Sequence, residues 1–307
     1  MNLHIKYRPR TLNQFYGNSQ TVSVLSGLLE DPENFPHSIL FYGDTGCGKT
    51  TLGRIVANSL GCKGTDFREI NSADFRGIDT IRDIIKQSQF LPLEGDIRVW
   101  LIDEAHKMTG DAQNALLKIL EEPPSHVYFI LCTTEPQKLL ATVKGRCNQM
   151  KVSPLTKAEL QDLLEKVVHK EKEEVSEEIY QQIIETSLCR PRDALQILEQ
   201  VLTVAQEERL EVSKRSAEIQ ADIMELCRAL LKGETWDSVK RIVTGLKEGE
   251  VDAEGIRRTV LGYMQSVLLK SRNDKAAFIV EQFWEPTYDV GFPYITYACY
   301  SIINLKR

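Results

Sequence analysis

The sequence predicts a parallel α/β domain of the P-loop type followed by two all-helical segments, and three observations carry this. Gly43-Asp44-Thr45-Gly46-Cys47-Gly48-Lys49-Thr50 fits G-x-x-x-x-G-K-[ST] and lies between an apolar run, residues 38–42, and a helical pattern of Leu52, Ile55, Val56 and Leu60. Two more apolar runs, 97–102 and 127–132, end in polar pairs, Asp103-Glu104 and Thr133-Thr134. Central parallel strands have this form, with ligands at their carboxyl edges. Beyond Ser153-Pro154 the strand–helix alternation stops and every remaining stretch reads helical.

Taken in order, the basic N-terminus His4-Ile5-Lys6-Tyr7-Arg8-Pro9-Arg10 is either a solvated arm or a cover over a nucleotide, with Tyr7 and Pro9 on a base face. A helix over 21–29 ends at Asp31-Pro32. After the P-loop helix, a turn over 61–64 leads to a short strand at 67–70. A helix over 78–88 buries Ile78, Ile81, Ile84 and Ile85 and leaves Arg82 and Lys86 outside. The strand at 97–102 is followed by a helix over 111–122 that stops at Pro123-Pro124. The strand at 127–132 is followed by a helical turn at 137–140. Three helices, 156–171, 176–187 and 191–204, come next, the first two with Thr156 and Ser176 at their N-caps. The charge run from Lys170 to Glu178 reads as a solvated edge. The last helical segment carries Phe283, Trp284, Tyr294, Tyr297 and Tyr300, which at helical spacing read as core or subunit-interface residues.

At 307 residues the chain exceeds one compact core. With 42% hydrophobic and 27% charged residues it reads as an ordinary globular protein. It has no bilayer-length apolar run and no signal-peptide layout, so no membrane is expected. Seven scattered cysteines without a C-x-x-C pair predict a reduced, cytoplasmic setting. A net charge of −6 excludes a uniformly basic nucleic-acid-binding surface and leaves a local basic or amide-lined face, or several subunits acting together.

The chemistry follows from the glycine loop. Backbone N–H groups of Gly43, Asp44, Thr45, Gly46, Cys47 and Gly48, continuing through Thr50 and Thr51, would cradle the phosphates of a nucleoside triphosphate at a helix N-terminus. Lys49 would meet the β- and γ-phosphates, and Thr50 would ligate Mg²⁺. Asp103 and Glu104 form a Walker-B-like pair. Asp103 would hold Mg²⁺, and Glu104 would polarise the attacking water. Thr133 or Thr134 would report the γ-phosphate. The bland reading of the acids is a solvent-facing pair at a strand end.

Several motifs in one order closely resemble AAA+ clamp-loader ATPase subunits. They are Asp103-Glu104-Ala105-His106, Ala112-Gln113-Asn114-Ala115-Leu116-Leu117-Lys118, Glu121-Glu122-Pro123-Pro124, Thr133-Thr134-Glu135-Pro136-Gln137-Lys138-Leu139 and Gly145-Arg146-Cys147. This set resembles the bacterial gamma/tau subunit. The stretch from Asn71 to Asp79 is similar to the small subunits of replication factor C, and Lys6-Tyr7-Arg8-Pro9 matches both. The resemblance covers about residues 4–200. It implies Arg146 as an arginine finger acting in trans and Arg192, in Arg190-Pro191-Arg192-Asp193, as the sensor-2 arginine acting in cis. DNA contact is expected from Arg76, Arg82 and the N-terminus of helix 78–88, without reading of sequence. Clamp contact is expected around Lys107-Met108-Thr109 and the following helix, with an exposed Met108. The chain departs from the bacterial subunit in lacking its four-cysteine zinc module, so no zinc is expected. Glycine also replaces the serine of the Ser-Arg-Cys motif. The length suggests a viral or otherwise compact loader.

The resulting expectation is an ATP- and Mg²⁺-dependent clamp-loader subunit with an AAA+ domain at 1–153, a helical lid at 154–211 and a helical collar at 212–307. Its partners would be other subunits of a pentameric assembly, a sliding clamp and primer–template DNA. The rivals are a DNA-translocating AAA+ enzyme of the branch-migration kind and a nucleotide-bound structural stator.

Overall fold

The computed structural model describes residues 2–71, 77–249, 251–287 and 290–304. The chain divides into two compact units, Met1–Val204 and Ala205–Arg307. The break falls seven residues before the 211/212 boundary expected from composition.

The first unit runs α1 (Leu3–Lys6), α2 (Ser19–Leu29), β1 (Ser38–Tyr42), α3 (Lys49–Ser59), β2 (Phe67–Asn71), α4 (Ile78–Ser88), β3 (Arg98–Asp103) and α5 (Gly110–Glu121). It continues with β4 (Val127–Thr133), α6 (Ala141–Lys144), β5 (Asn148–Lys151), α7 (Lys157–Glu171), α8 (Glu177–Thr186) and α9 (Pro191–Thr203). The five strands form one sheet in the order β2-β3-β4-β1-β5, every pairing parallel. Every residue of β4, and all of β3 except Asp103, is buried, so these strands are covered on both faces, and apart from Arg98 at the start of β3 and Thr133 at the end of β4 their buried residues are apolar. Alternate residues serve opposite layers. Leu40, Trp100, Ile102, Phe129 and Leu131 pack with Ile81 and Ile84 of α4 and Leu116 and Ile119 of α5. Ile39, Phe41, Val99, Leu101 and Ile130 pack with Leu25 of α2 and Leu52 and Val56 of α3. Each such side chain contributes about 1.5–3 kcal/mol by leaving water.

Strand β5 has no apolar signature in the sequence. Only Met150 of Asn148–Lys151 is buried, because β5 is an edge strand paired to β1 alone. The helix N-caps differ from one another. Thr156 makes a reciprocal capping box with Glu159, whereas Ser176 precedes α8 without a side-chain cap bond.

The loop between α4 and β3 is held from below by a buried ion pair. The Arg98 guanidinium donates to Asp66 (3.2 Å) and to the carbonyls of Phe90 and Leu91, and the Asp66 carboxylate accepts from Leu93 N and Glu94 N. Phe90, Leu91 and Leu93 point to solvent.

The second unit contains α10 (Arg209–Lys232), α11 (Trp236–Glu248), α12 (Ala253–Lys270), α13 (Asp274–Gln282) and α14 (Phe292–Asn304). α10 begins ahead of residue 212, so a boundary there would cut a continuous helix. Leu226, Leu230, Val260, Met264, Phe283 and Ile295 share its core. Of the aromatics read as core or interface, Phe283 is buried and Tyr294 packs on the core, while Trp284, Tyr297 and Tyr300 are exposed. Among the described residues no helix is long and apolar enough to cross a membrane.

A buried carboxylate ties α12 to the segment after α13. Glu254 pairs with Arg257 (2.7 Å) and accepts from both the N–H and the hydroxyl of Thr287. Desolvation would raise its pKa, but Arg257 and Thr287 outweigh it and bring it from the ordinary 4.5 down to about 2. A depressed carboxylate stabilises the fold above its unfolded pKa, and that stability is lost as pH falls through the folded value. Acid unfolding should therefore steepen between about pH 4.5 and 2. Glu254→Ala should cost about 3 kcal/mol at neutral pH, read by denaturant unfolding, and should remove that acid dependence.

Candidate nucleotide site

The parallel sheet brings the carboxyl ends of β1, β3 and β4 to one edge, with Tyr42 in register with Thr133. The chain leaves β1 into the glycine loop. Gly43 (φ 147°) lies so close to β5 that a Cβ there would sit 1.9 Å from the Val152 carbonyl oxygen. Gly48 (φ 102°) faces the Phe15 ring, which a Cβ would meet at 2.9 Å. Both positions admit glycine alone. Lys49 opens α3 with its side chain folded back, and Nζ donates to the carbonyls of Gly43 (2.9 Å) and Asp44 (2.7 Å). The ammonium is thereby centred in the loop.

Two hydrogen bonds fix the Asp103 carboxylate. Oδ2 accepts from the Thr50 hydroxyl at 2.8 Å, and Oδ1 accepts from Glu104 N at 2.9 Å. Glu104 sits in the left-handed region (φ 51°), a strained choice for a residue with a Cβ. One of its carboxylate oxygens lies 3.4 Å from the Thr134 hydroxyl. Thr133 is fully buried, and its carbonyl accepts from Gly43 N. The hydroxyl and carboxylate oxygens of Thr50 and Asp103 are hard donors suited to a divalent cation such as Mg²⁺, and the glycine cradle with Lys49 suits phosphates.

A cavity of about 730 Å³ opens onto this edge. Thr45, Gly46, Cys47, Gly48, Lys49, Thr50, Thr51, Asp103 and Glu104 reach it, and so do Tyr7, Pro9 and Arg192 from distant parts of the chain. Gly43, Asp44, Thr133 and Thr134 stand behind these residues and are not part of the wall. The N-terminal segment is no loose arm, since Leu3 N donates to Glu199 of α9, and Lys6 and Tyr7 both bond Glu171 of α7. Burial pushes the Cys47 thiol up to about 11, so it is a neutral wall group.

Sequence reasoning missed Phe15, Tyr16, Lys166 and Lys170, which also line the cavity. Lys166 lies 5.4 Å from the Tyr16 ring centroid and Lys170 5.6 Å from that of Tyr7. The solvated-edge reading of Lys170 thus overlooked a helix end that faces the site. The one-turn spacing of Lys166 and Lys170 on α7 was the available signal.

Other expected residues lie elsewhere. Arg146 does not reach the cavity; it donates to Thr142 O (3.1 Å) and to Glu121 (3.0 Å). Arg82 is exposed on α4, paired with Asp79. Arg76 lies outside the described residues. Met108 is not exposed. It is buried in the layer formed with α4 and α5, because the turn Ala105–Lys107 folds it under the Thr109 cap of α5.

A family model described as DNA polymerase III, delta subunit, matches residues 65–156. DNA polymerase III subunit gamma/tau of Mycobacterium tuberculosis is 33% identical over 228 residues, covering 67% of this chain and 39% of that protein. Subunit tau of Bacillus subtilis is 30% identical over 295 residues, covering 88% and 52%. The chain is an AAA+ relative of the clamp-loader subunits. It spans less than two thirds of the length of these relatives. The AAA+ fold is also that of Thermotoga maritima RuvB, titled a Holliday junction branch migration motor. That structure aligns with a TM-score of 0.60 at 20% identity, over 73% of this chain and 79% of that one. At that identity the likeness concerns the fold alone.

Proposed function

We propose that this chain is an ATP-hydrolysing subunit of a clamp loader, which opens a sliding clamp and places it on primer–template DNA. One observation carries the reading. Thr50, Asp103 and Glu104 meet Lys49 at the mouth of one cavity, while Arg146 is held outside it. A site that gathers these groups but not Arg146 fits an enzyme finished by its neighbour.

Lys49 and the loop N–H groups bind and orient the triphosphate. Thr50 and Asp103 would hold Mg²⁺, which would supply charge neutralisation to the triphosphate. Glu104 takes the proton of the attacking water, and Thr133 or Thr134 reports whether the γ-phosphate is present. Arg192 acts in cis and Arg146 in trans on the neighbour's nucleotide. Tyr7 and Pro9 cover the base. A catalytic domain at 1–153, a lid running from there to the break at 204/205 and a collar beyond it, in a pentameric assembly, complete the proposal. Arg82 and Arg76 would meet the DNA backbone.

Steady-state hydrolysis with a clamp and primed DNA tests this. Turnover should rise with both together. Glu104→Gln should lose about 10²-fold or more in kcat while retaining nucleotide affinity. Stimulation by duplex or branched DNA irrespective of clamp would replace this reading with a translocase, and tight binding without any turnover would replace it with a stator.

A further inference from the structure

His106 has no part in the roles above, yet its side chain is only 5% exposed and sits among them. The left-handed Glu104 and the single 3-10 turn Ala105–Lys107 fold the ring back against the tip of β4. Its Nδ1 lies 3.0 Å from Thr133 Oγ1 and 3.4 Å from a Glu104 carboxylate oxygen. Its Nε2 lies 3.3 Å from a Glu135 carboxylate oxygen. These partners assign the hydrogens. Thr133 Oγ1 accepts from Glu135 N at 3.0 Å and has its own hydrogen free to donate. The Glu135 and Glu104 carboxylates both only accept, and with one hydrogen on the neutral ring the closer Glu135 contact, together with a Thr133 hydroxyl that can donate to Nδ1, places it on Nε2. Nδ1 is then bare, takes the Thr133 hydroxyl hydrogen and offers Glu104 none.

Burial favours the neutral ring, and Lys138 and Lys107 act in the same direction. Glu104 and Glu135 oppose them, and the net shift is below the ordinary 6.5. A bare nitrogen beside a carboxylate oxygen repels it. Glu104 also lines the nucleotide cavity, which His106 does not reach.

We propose that His106 is a positioning residue that braces the Glu104 carboxylate toward the cavity and links that placement to the Thr133 hydroxyl at the tip of β4. The proposal rests on reading Glu104 as the group that activates water. Through this ring, a change at the Thr133 hydroxyl reaches the carboxylate without any movement of the strands.

Ring-nitrogen NMR on the full-length chain and turnover in the assembled complex test it together. The ring should show the Nε2–H tautomer at neutral pH, and Thr133→Val and Glu104→Gln should each move its Nδ1 resonance. His106→Ala should lower kcat about tenfold to a hundredfold at unchanged nucleotide affinity. His106→Asn, whose carboxamide oxygen can accept from Thr133, should recover most of that loss. An Nδ1–H tautomer, wild-type kcat in His106→Ala, or equal impairment of both variants would overturn the proposal. If His106→Ala does not fold, the tautomer and the asparagine variant decide. A failure of the Glu104 reading is separable: Glu104→Gln would then turn over normally while the ring nitrogens behave as expected.

Discussion

Arg146→Ala lowers turnover of the assembled complex by about 10³-fold or more and leaves nucleotide affinity of the isolated chain unchanged. The two halves of this expectation come from different facts. The magnitude is that of a cation placed on a transferring phosphoryl group from a neighbouring subunit. The unchanged affinity follows from where the side chain sits, bonded to Thr142 O and Glu121 and away from the cavity wall. Nucleotide titration of the free chain, set beside hydrolysis by the complex, measures both. Loss of affinity in the free chain would mean that Arg146 acts on its own nucleotide, and full activity in the complex would remove it from the chemistry.

Gly43→Ala destabilises the fold by about 3 kcal/mol or more and takes nucleotide binding with it. A φ of 147° is unfavourable for any residue with a Cβ, and that Cβ would lie 1.9 Å from the Val152 carbonyl oxygen. The obstacle is backbone, so no side-chain rotation relieves it. Nor can Val152 withdraw cheaply, since its N–H donates to Tyr42 O at 2.8 Å. Denaturant unfolding and nucleotide titration of the variant check this. Near-wild-type stability would show that the loop and the β5 edge separate easily.

The contrast between these two residues shows what could be read from sequence. Gly43, Lys49 and Asp103 were legible because their roles follow from local chemistry: a glycine turn, a loop cation and an acid ending an apolar strand. β1, β3 and β4 were legible because strands covered on both faces are apolar throughout. β5 was not, because an edge strand with one buried residue carries no pattern. Met108 was misread because a thioether at a turn gives no sign of whether it points in or out. Phe15, Tyr16, Lys166 and Lys170 were missed because their place depends on how α7 and the N-terminal segment fold onto the glycine loop. The ring nitrogens of His106 depend on Thr133 and Glu135, nearly thirty residues away, and no spacing rule joins them.

The strand order also bears on how the chain comes to be folded. Among the described residues β1 pairs with β4 and β5 and with nothing nearer in sequence. Ile39, Leu40 and Phe41, all fully covered in the finished sheet, therefore have no sheet partner until residue 127 has been made. β5, whose departing chain closes over Gly43, follows only at 148. At about 5–20 residues per second, roughly 5–20 s of synthesis separates β1 from β5. During that interval an apolar strand with two unpaired edges is open to other chains. The glycine loop is thus among the first parts of the sheet to be synthesised and among the last to gain its final shape.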